Sequence, residues 1–273
     1  QLRLLAQQAD RPGLVELQVG DLGLWLEGGT GRVDLSGVLA ADLSELTFEG
    51  TLADVDWQTR EVQRGRISGA VALQGAHEFS LDTVLTGIQR QGLSLDELRL
   101  TAQGDDKSQL ARLDSAGDFD GSLRVNGAVA EGGWRGSLLP ASWQTPTGQW
   151  RLEETVPLAW SAKNSQLSVA GHCWRDQQSE LCAGDLLLGA SGRASLTGQG
   201  RLGRLAVLLP EQVELNGKLQ FQAEARWGGP PGLLVEADAT MNELEIVRDY
   251  GAGHITTARW EGLTLAATGR DGA

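Results

Sequence analysis

Polar and apolar residues alternate with a period of two through most of this 273-residue chain, and that pattern decides what it can fold into. Val15-Glu16-Leu17-Gln18-Val19 sets the rule, and Val33 to Ser36, Leu46 to Glu49, Val71 to Gln74 and Leu98 to Thr101 repeat it. So do Leu123 to Asn126 and Leu167 to Val169, and the longest runs are Leu219 to Trp227 and Val235 to Met241. Alternation puts successive side chains on opposite sides of a strand, so each segment has one dry and one wet face. Helical periodicity is scarce. Leu202, Leu205, Leu208 and Leu209 share one face ahead of Pro210 and predict a short helix near 202–209. At ~12 residues per strand and turn, the chain has room for roughly 18–22 strands. They follow one another too closely for helical crossovers, which predicts an all-β antiparallel meander. Its alternation is disturbed near 140–157, between Pro140 and Pro157, where Trp and Pro intervene.

Glycine makes up 37 of the 273 residues, about double the ~7% of an ordinary chain. Gly65, Gly69 and Gly75, then Gly117, Gly121 and Gly127, then Gly198, Gly200 and Gly203 read as punctuation between strands. Asn126-Gly127 and Asn216-Gly217 read as turns. Ile67 to Gly75 resembles Phe119 to Gly127, and Leu215 to Leu219 opens the same way, yet the spacing is too irregular for propeller blades. The dry faces belong to one side of one very long sheet. A sheet of that size curls, splits or closes. A barrel, a sandwich, a β-solenoid and a sheet folded over as a trough all satisfy the pattern.

The charge balance is 23 Lys and Arg against 36 Asp and Glu, a net −13. Phosphate backbones repel such a surface, so nucleic acid is not an expected partner. With 41% hydrophobic residues the chain has material for a core and is not expected to be disordered. No apolar run is long enough to span a membrane as a helix. The chain opens on Gln1, shows no signal peptide and is patterned at both ends, so we read residues 1–273 as one continuous elongated β domain and an internal fragment of a longer chain.

Chemical motifs are few, and no catalytic residue, cofactor or metal is expected. Gly198-Gln199-Gly200-Arg201-Leu202-Gly203 fits G-x-G-x-x-G, but a further alternating strand follows where a dinucleotide site needs a βαβ unit. His77, His172 and His254 stand in no catalytic signature, and Asp118 to Gly121 lacks the spacing of a calcium loop and reads as a turn. The only cysteines, Cys173 and Cys182, flank a short polar turn. A disulfide between adjacent strands is the favoured reading and implies an oxidising compartment. A metal held with His172 matches no common zinc spacing, and two free buried thiols are the third reading. The nine Trp either fill core and strand ends or sit at a lipid–water boundary.

Gly133-Trp134-Arg135-Gly136-Ser137-Leu138, Thr145-Pro146-Thr147-Gly148-Gln149-Trp150, the Cys173-Trp174 and Leu181-Cys182 pair, and the passage from Leu205 to Gly217 together form a pattern. It resembles the TamB family. The likeness is strongest over 98–220. It implies an AsmA-like, bridge-like lipid-transfer protein of the Gram-negative periplasm, anchored in the inner membrane by a helix outside this segment. It further implies a β-taco, a long sheet curled into an open trough with an apolar interior. The expected partners are phospholipids and, through a part outside this segment, TamA, an outer-membrane barrel of the Omp85 type. The expected role is phospholipid transport and outer-membrane biogenesis, including protein translocation and assembly.

A trough of this kind needs no catalyst. Burying an acyl chain of ~16 carbons is worth roughly 13 kcal/mol at ~0.8 kcal/mol per CH₂, so passage through water is very slow and passage along an apolar lane is not. Val15, Leu17, Val19, Leu46, Phe48, Val71, Leu73, Leu98, Leu100, Leu123, Val125, Leu167, Val169, Leu219, Phe221, Val235 and Met241 are the residues expected to line it. Three rivals stay open: a chaperone-like scaffold that templates outer-membrane strands by β-edge pairing, a closed β-solenoid passenger of adhesin type, and, most distantly, a carbohydrate-active β enzyme, for which no acid pair stands out.

Overall fold

The computed structural model describes residues 2–5, 12–24, 28–57, 60–90, 93–210, 212–229, 232–251 and 254–270. Trp25, one of the aromatic residues considered above, lies outside them. Among the described residues all regular structure is strand apart from two 3-10 turns, at Leu22–Leu24 and Leu202–Leu208. The short helix expected near 202–209 is the second of these, and among the described residues 21 strands run antiparallel to their neighbours. The chain divides into two units, Gln1–Val129 and Ala130–Ala273.

Unit 1 holds β1 (Leu2–Leu5), β2 (Gly13–Val19), β3 (Gly29–Leu39), β4 (Glu45–Trp57), β5 (Arg60–Ala72), β6 (Phe79–Arg90), β7 (Leu93–Gly104), β8 (Gln109–Gly117) and β9 (Asp120–Ala130). Each pairs with the next in chain order. Short turns reverse the chain. Asp42 and Asp105 hold two of them by accepting backbone N–H bonds at Ser44 and at Lys107 and Ser108.

One irregularity crosses this unit from strand to strand. Asp54, Gln63, Gly87 and Asp96 lie level with one another on β4 to β7, and none forms a ladder pair with its neighbour. The register slips by one where the row meets β3 and β8, at Gly31 and next to Gly117. Each inner strand thus carries one extra residue, and the apolar phase shifts with it. On β4, Leu46, Phe48 and Leu52 give way to Val55 and Trp57; on β7, Leu93 and Leu95 give way to Leu98 and Leu100. The shift keeps the apolar side chains on one face while the bulge sharpens the local bend. Asp54 at φ 52° and Gly87 at φ 63° take up the left-handed backbone this requires.

Unit 2 holds β10 (Gly133–Leu138), β11 (Ala141–Thr145), β12 (Gly148–Leu152), β13 (Val156–Ser161), β14 (Gln166–Val169), β15 (His172–Arg175), β16 (Glu180–Ala183), β17 (Leu186–Leu188), β18 (Gly192–Arg201), β19 (Val213–Gly229), β20 (Gly232–Asp249) and β21 (Ile255–Arg270). The first eight are halves of four longer strands. β10 pairs β13 while β11 pairs β12; β13 pairs β14 while β12 pairs β15; β14 pairs β17, β15 pairs β16, and both β16 and β17 pair β18. Residues 139–140, 153–155, 170–171 and 184–185 interrupt these strands level with one another. The disturbance expected near 140–157 is the first part of this crease. Leu152 and Val156, the most deeply buried hydrophobic residues described at 2% exposure each, flank it.

Two sequence expectations are corrected here. Asn126-Gly127 and Asn216-Gly217 are not turns: β9 and β19 run straight through them, and Gly217 instead forms a bulge at φ 131°. Gly65, Gly69, Gly121, Gly127, Gly198 and Gly200 lie inside strands rather than between them. Ladder bonds to long neighbours on both sides outweigh the local turn preference of these residues.

Candidate functional site

The ladder registers turn the alternation of single strands into rows that cross unit 1. One row runs Leu17, Leu35, Gly50, Ile67, Thr83, Leu100, Leu113, Leu123. A second runs Val15, Gly37, Phe48, Gly69, Leu81, Ala102, Ala111, Val125, and a third passes through Val19, Val33, Leu52, Gly65, Leu85 and Leu98. Leu46 and Val71 pair with each other, and Leu73 stands just past the end of β5, half exposed. The expected lining residues of this unit other than Leu73 thus stand on one sheet face.

Glycine is what lets large side chains share that face. A Cβ on Gly65 would lie 2.5 Å from Leu52 Cγ and 2.7 Å from Leu85 Cδ2. One on Gly50 would lie 2.8 Å from Leu35 Cδ1, and one on Gly69 would lie 2.6 Å from Phe48 Cζ. Large residues on one strand lean over glycine on the next. At these contacts the large side chain has room only because its cross-strand neighbour is glycine.

In unit 2, Leu219 pairs Met241, Phe221 pairs Ala239, and Val235 pairs Ala225. Leu167 pairs Trp160 and Leu188, and Val169 pairs Leu158 and Leu186. The same face carries a feature that the sequence did not reveal. Trp134 stands directly opposite Trp160, Trp143 opposite Trp150, Trp174 opposite Leu152 and Trp227 opposite Gly192. No periodicity within one strand could have found these pairs, because they depend on register.

Burial separates this face from an ordinary core. Among the described residues only Leu152, Val156, Leu202 and Leu244 are buried hydrophobics. The rest of the apolar face is half-buried, and Val15, Leu35, Trp160, Leu196 and Leu265 are exposed by 37–51%. Packing among the described residues leaves the apolar face of each unit largely uncovered. Large uncovered apolar patches are found at protein–protein and membrane interaction sites and in ligand-binding grooves.

The opposite face is polar and laced with ion pairs. Asp82 receives Arg99 at 2.5 Å and lies 4.0 Å from Arg66. The hydrogen bond from Arg112 holds the Asp114 carboxyl below the usual range, and Ser122 adds to it. Cys173 and Cys182 are cross-strand partners on this face and are joined as a disulfide. They form with Glu180 the only cluster of three potential metal ligands among the described residues, but the disulfide leaves no thiolate to donate. His172 contacts the Ala170 carbonyl, and His77 contacts Asp106 at 2.9 Å. The G-x-G-x-x-G stretch lies along β18 and enters the 3-10 turn. That turn is fastened by Arg204, which donates to the Thr147 carbonyl at 3.2 Å and meets the buried Asp176 carboxylate at 3.3 Å.

No helix among the described residues is long and apolar enough to cross a membrane. The family profile described as TamB, N-terminal domain, matches residues 11–273. The chain is 25% identical over 214 residues to the translocation and assembly module subunit TamB of Haemophilus influenzae. The match covers 75% of the chain and 16% of that relative, so the chain spans only a small part of its length. No solved structure matches the chain.

Proposed function

The chain belongs to the TamB family through its N-terminal domain, and from that premise we propose that it is a segment of a conduit carrying phospholipid acyl chains between the inner and outer membranes. The apolar rows of each unit form the wall of the lane, and the head groups travel in water beside it. The full-length protein is anchored in the inner membrane of a Gram-negative envelope, reaches through the periplasm, and meets TamA by a part beyond these residues. Outer-membrane protein assembly is then linked to lipid supply through the same molecule.

The observation that carries this reading is the uncovered apolar face: rows of Leu, Val and Phe in register over many strands, with four buried hydrophobic residues among those described. An acyl chain on such a face removes it from water and is itself kept from water, at ~0.8 kcal/mol per CH₂. The test is to purify the chain with Leu123→Arg or Phe221→Arg and weigh co-purified lipid by mass spectrometry. The original chain retains phospholipid, and each Arg variant retains several-fold less with an unchanged far-UV circular dichroism spectrum. Equal lipid in folded variants overturns the reading.

A further inference from the structure

We propose that the polar face of unit 2 carries a binding site for a phosphate-bearing anion, centred on Arg201 and Lys218. Arg201 closes β18 and stands directly opposite Lys218 of β19. Two like charges in that position repel. Among the described residues no carboxylate forms an ion pair with Arg201. Lys218 reaches Glu243 at 2.9 Å, but both side chains are mostly exposed, 65% and 71%, and such a pair is weak and exchangeable.

Two cavities meet at this pair. One, of about 480 Å³, adds Gln199 and Gln220; the other, of about 530 Å³, adds Arg204 and Asn216; both share Gln178, Arg201 and Lys218. Of the carboxylates at their rims, Glu180 is engaged by Arg175 at 2.7 Å and Asp176 by Arg204, while Glu243 is the exposed partner of Lys218 that an anion would have to displace. What faces the open space is the Arg201 guanidinium fork, the Lys218 ammonium that Glu243 holds only by an exposed pair, and the amides of Gln178, Gln220 and Asn216, the donor set that phosphate oxygens take. The chain as a whole is at −13 and repels anions, so a phosphate held here is held by these contacts and not by the general field. A second cross-strand pair, Arg193 opposite Arg226 on the same two strands, makes an internal comparison. There Glu224 lies 3.3 Å from Arg226 in a pair as exposed as that of Lys218, but two carboxylates, Asp185 and Glu224, line the adjoining cavity and, among the described residues, neither is held by a cation outside it.

The site stands on the polar face and does not require that the apolar face carry lipid. Two probes identify the source of the phosphate: sn-glycerol 3-phosphate in equilibrium dialysis, and flotation with vesicles of phosphatidylglycerol in phosphatidylcholine. The Arg201→Gln/Lys218→Gln double variant binds roughly tenfold more weakly, as expected on losing two charge-assisted contacts, and Arg201→Gln alone lies between. The Arg193→Gln/Arg226→Gln variant binds as the original does. Binding of the ester alone assigns a soluble phosphate compound, and binding of vesicles alone assigns a lipid head group. Binding in neither arm overturns the site, as does an equal loss in both double variants. Circular dichroism confirms the fold of each variant, and the single Arg201→Gln variant decides the matter if the double one fails to fold.

Discussion

The ring of Phe221 lies across the neighbouring strand at Gly198, occupying the volume that a Cβ on Gly198 would need. This relation, repeated at Gly65 beneath Leu52 and Leu85, gives the surplus of glycine a physical cause. Valine at position 198 must displace the ring, at a cost of about 1–3 kcal/mol for overpacking. Urea unfolding of Gly198→Val is expected to show that loss. The double variant Gly198→Val/Phe221→Ala should recover part of it, because the collision is removed along with the ring. Additive losses would mean that the two positions do not collide.

The link between Cys173 and Cys182 closes a small loop on the polar face, with a sequence separation of 9. The loop-closure model assigns such a link about 2–3 kcal/mol. Replacing both cysteines by serine is expected to lower unfolding stability by that amount in urea. Adding a reductant to the original chain should reproduce the effect, and to the variant should do nothing. A variant as stable as the original would show that the strand pairing alone holds the hairpin.

Asp176 is 3% exposed and faces Arg204, which also binds the Thr147 carbonyl 57 residues away in sequence. Its other oxygen accepts the Gln178 N–H at 2.7 Å. Asp176→Ala leaves a guanidinium without its partner and a turn without its cap. The expected loss is about 1–3 kcal/mol, below that of a fully buried pair because Arg204 is 36% exposed. Protease accessibility at residues 202–209 should rise in parallel. No change in either measurement would show that the 3-10 turn is held by the burial of Leu202 alone.

These three relations differ in how far the sequence disclosed them. The run from Leu219 to Trp227 told its own strand and its own dry face, because alternation is a local signal. The cysteine pair was legible because a short polar turn joins its two strands. Gly198 beneath Phe221 was not, since a glycine inside a strand looks like a glycine between strands until the neighbouring register is known. The row of Asp54, Gln63, Gly87 and Asp96 was hidden for a related reason: one added residue shifts the phase, and the alternation then reads as broken although the apolar face continues. Arg204 reaching Thr147 is a contact of folded packing, and no local pattern encodes it.

Acid should weaken unit 1 through Asp114. Arg112 Nε lies 2.8 Å from both carboxylate oxygens, and this bond holds the folded-state pKa below its ordinary value. A carboxyl depressed by folding contributes stability that is present above the unfolded value, near 3.9, and is lost as pH falls through the folded value. Thermal melts are therefore expected to place the original chain above Asp114→Asn at neutral pH. The gap should close as the pH falls below about 4, through the depressed folded-state value. A gap that stays constant with pH would trace the effect to shape rather than to charge.

The tryptophans give the lipid reading an optical test. Trp134 and Trp160, and Trp143 and Trp150, stand as cross-strand pairs on the apolar face of unit 2, beside the crease at Leu152 and Val156. An aromatic ring there meets whatever covers the face, and Trp160 is 41% exposed in the chain alone. Phospholipid with brominated acyl chains is expected to quench tryptophan emission when it occupies the lane, because the bromine atoms come within contact distance of the rings. Trp160→Phe should remove a measurable part of that quenching. Lipid that binds without quenching would sit on the polar face, and the apolar rows would then have to be covered by protein.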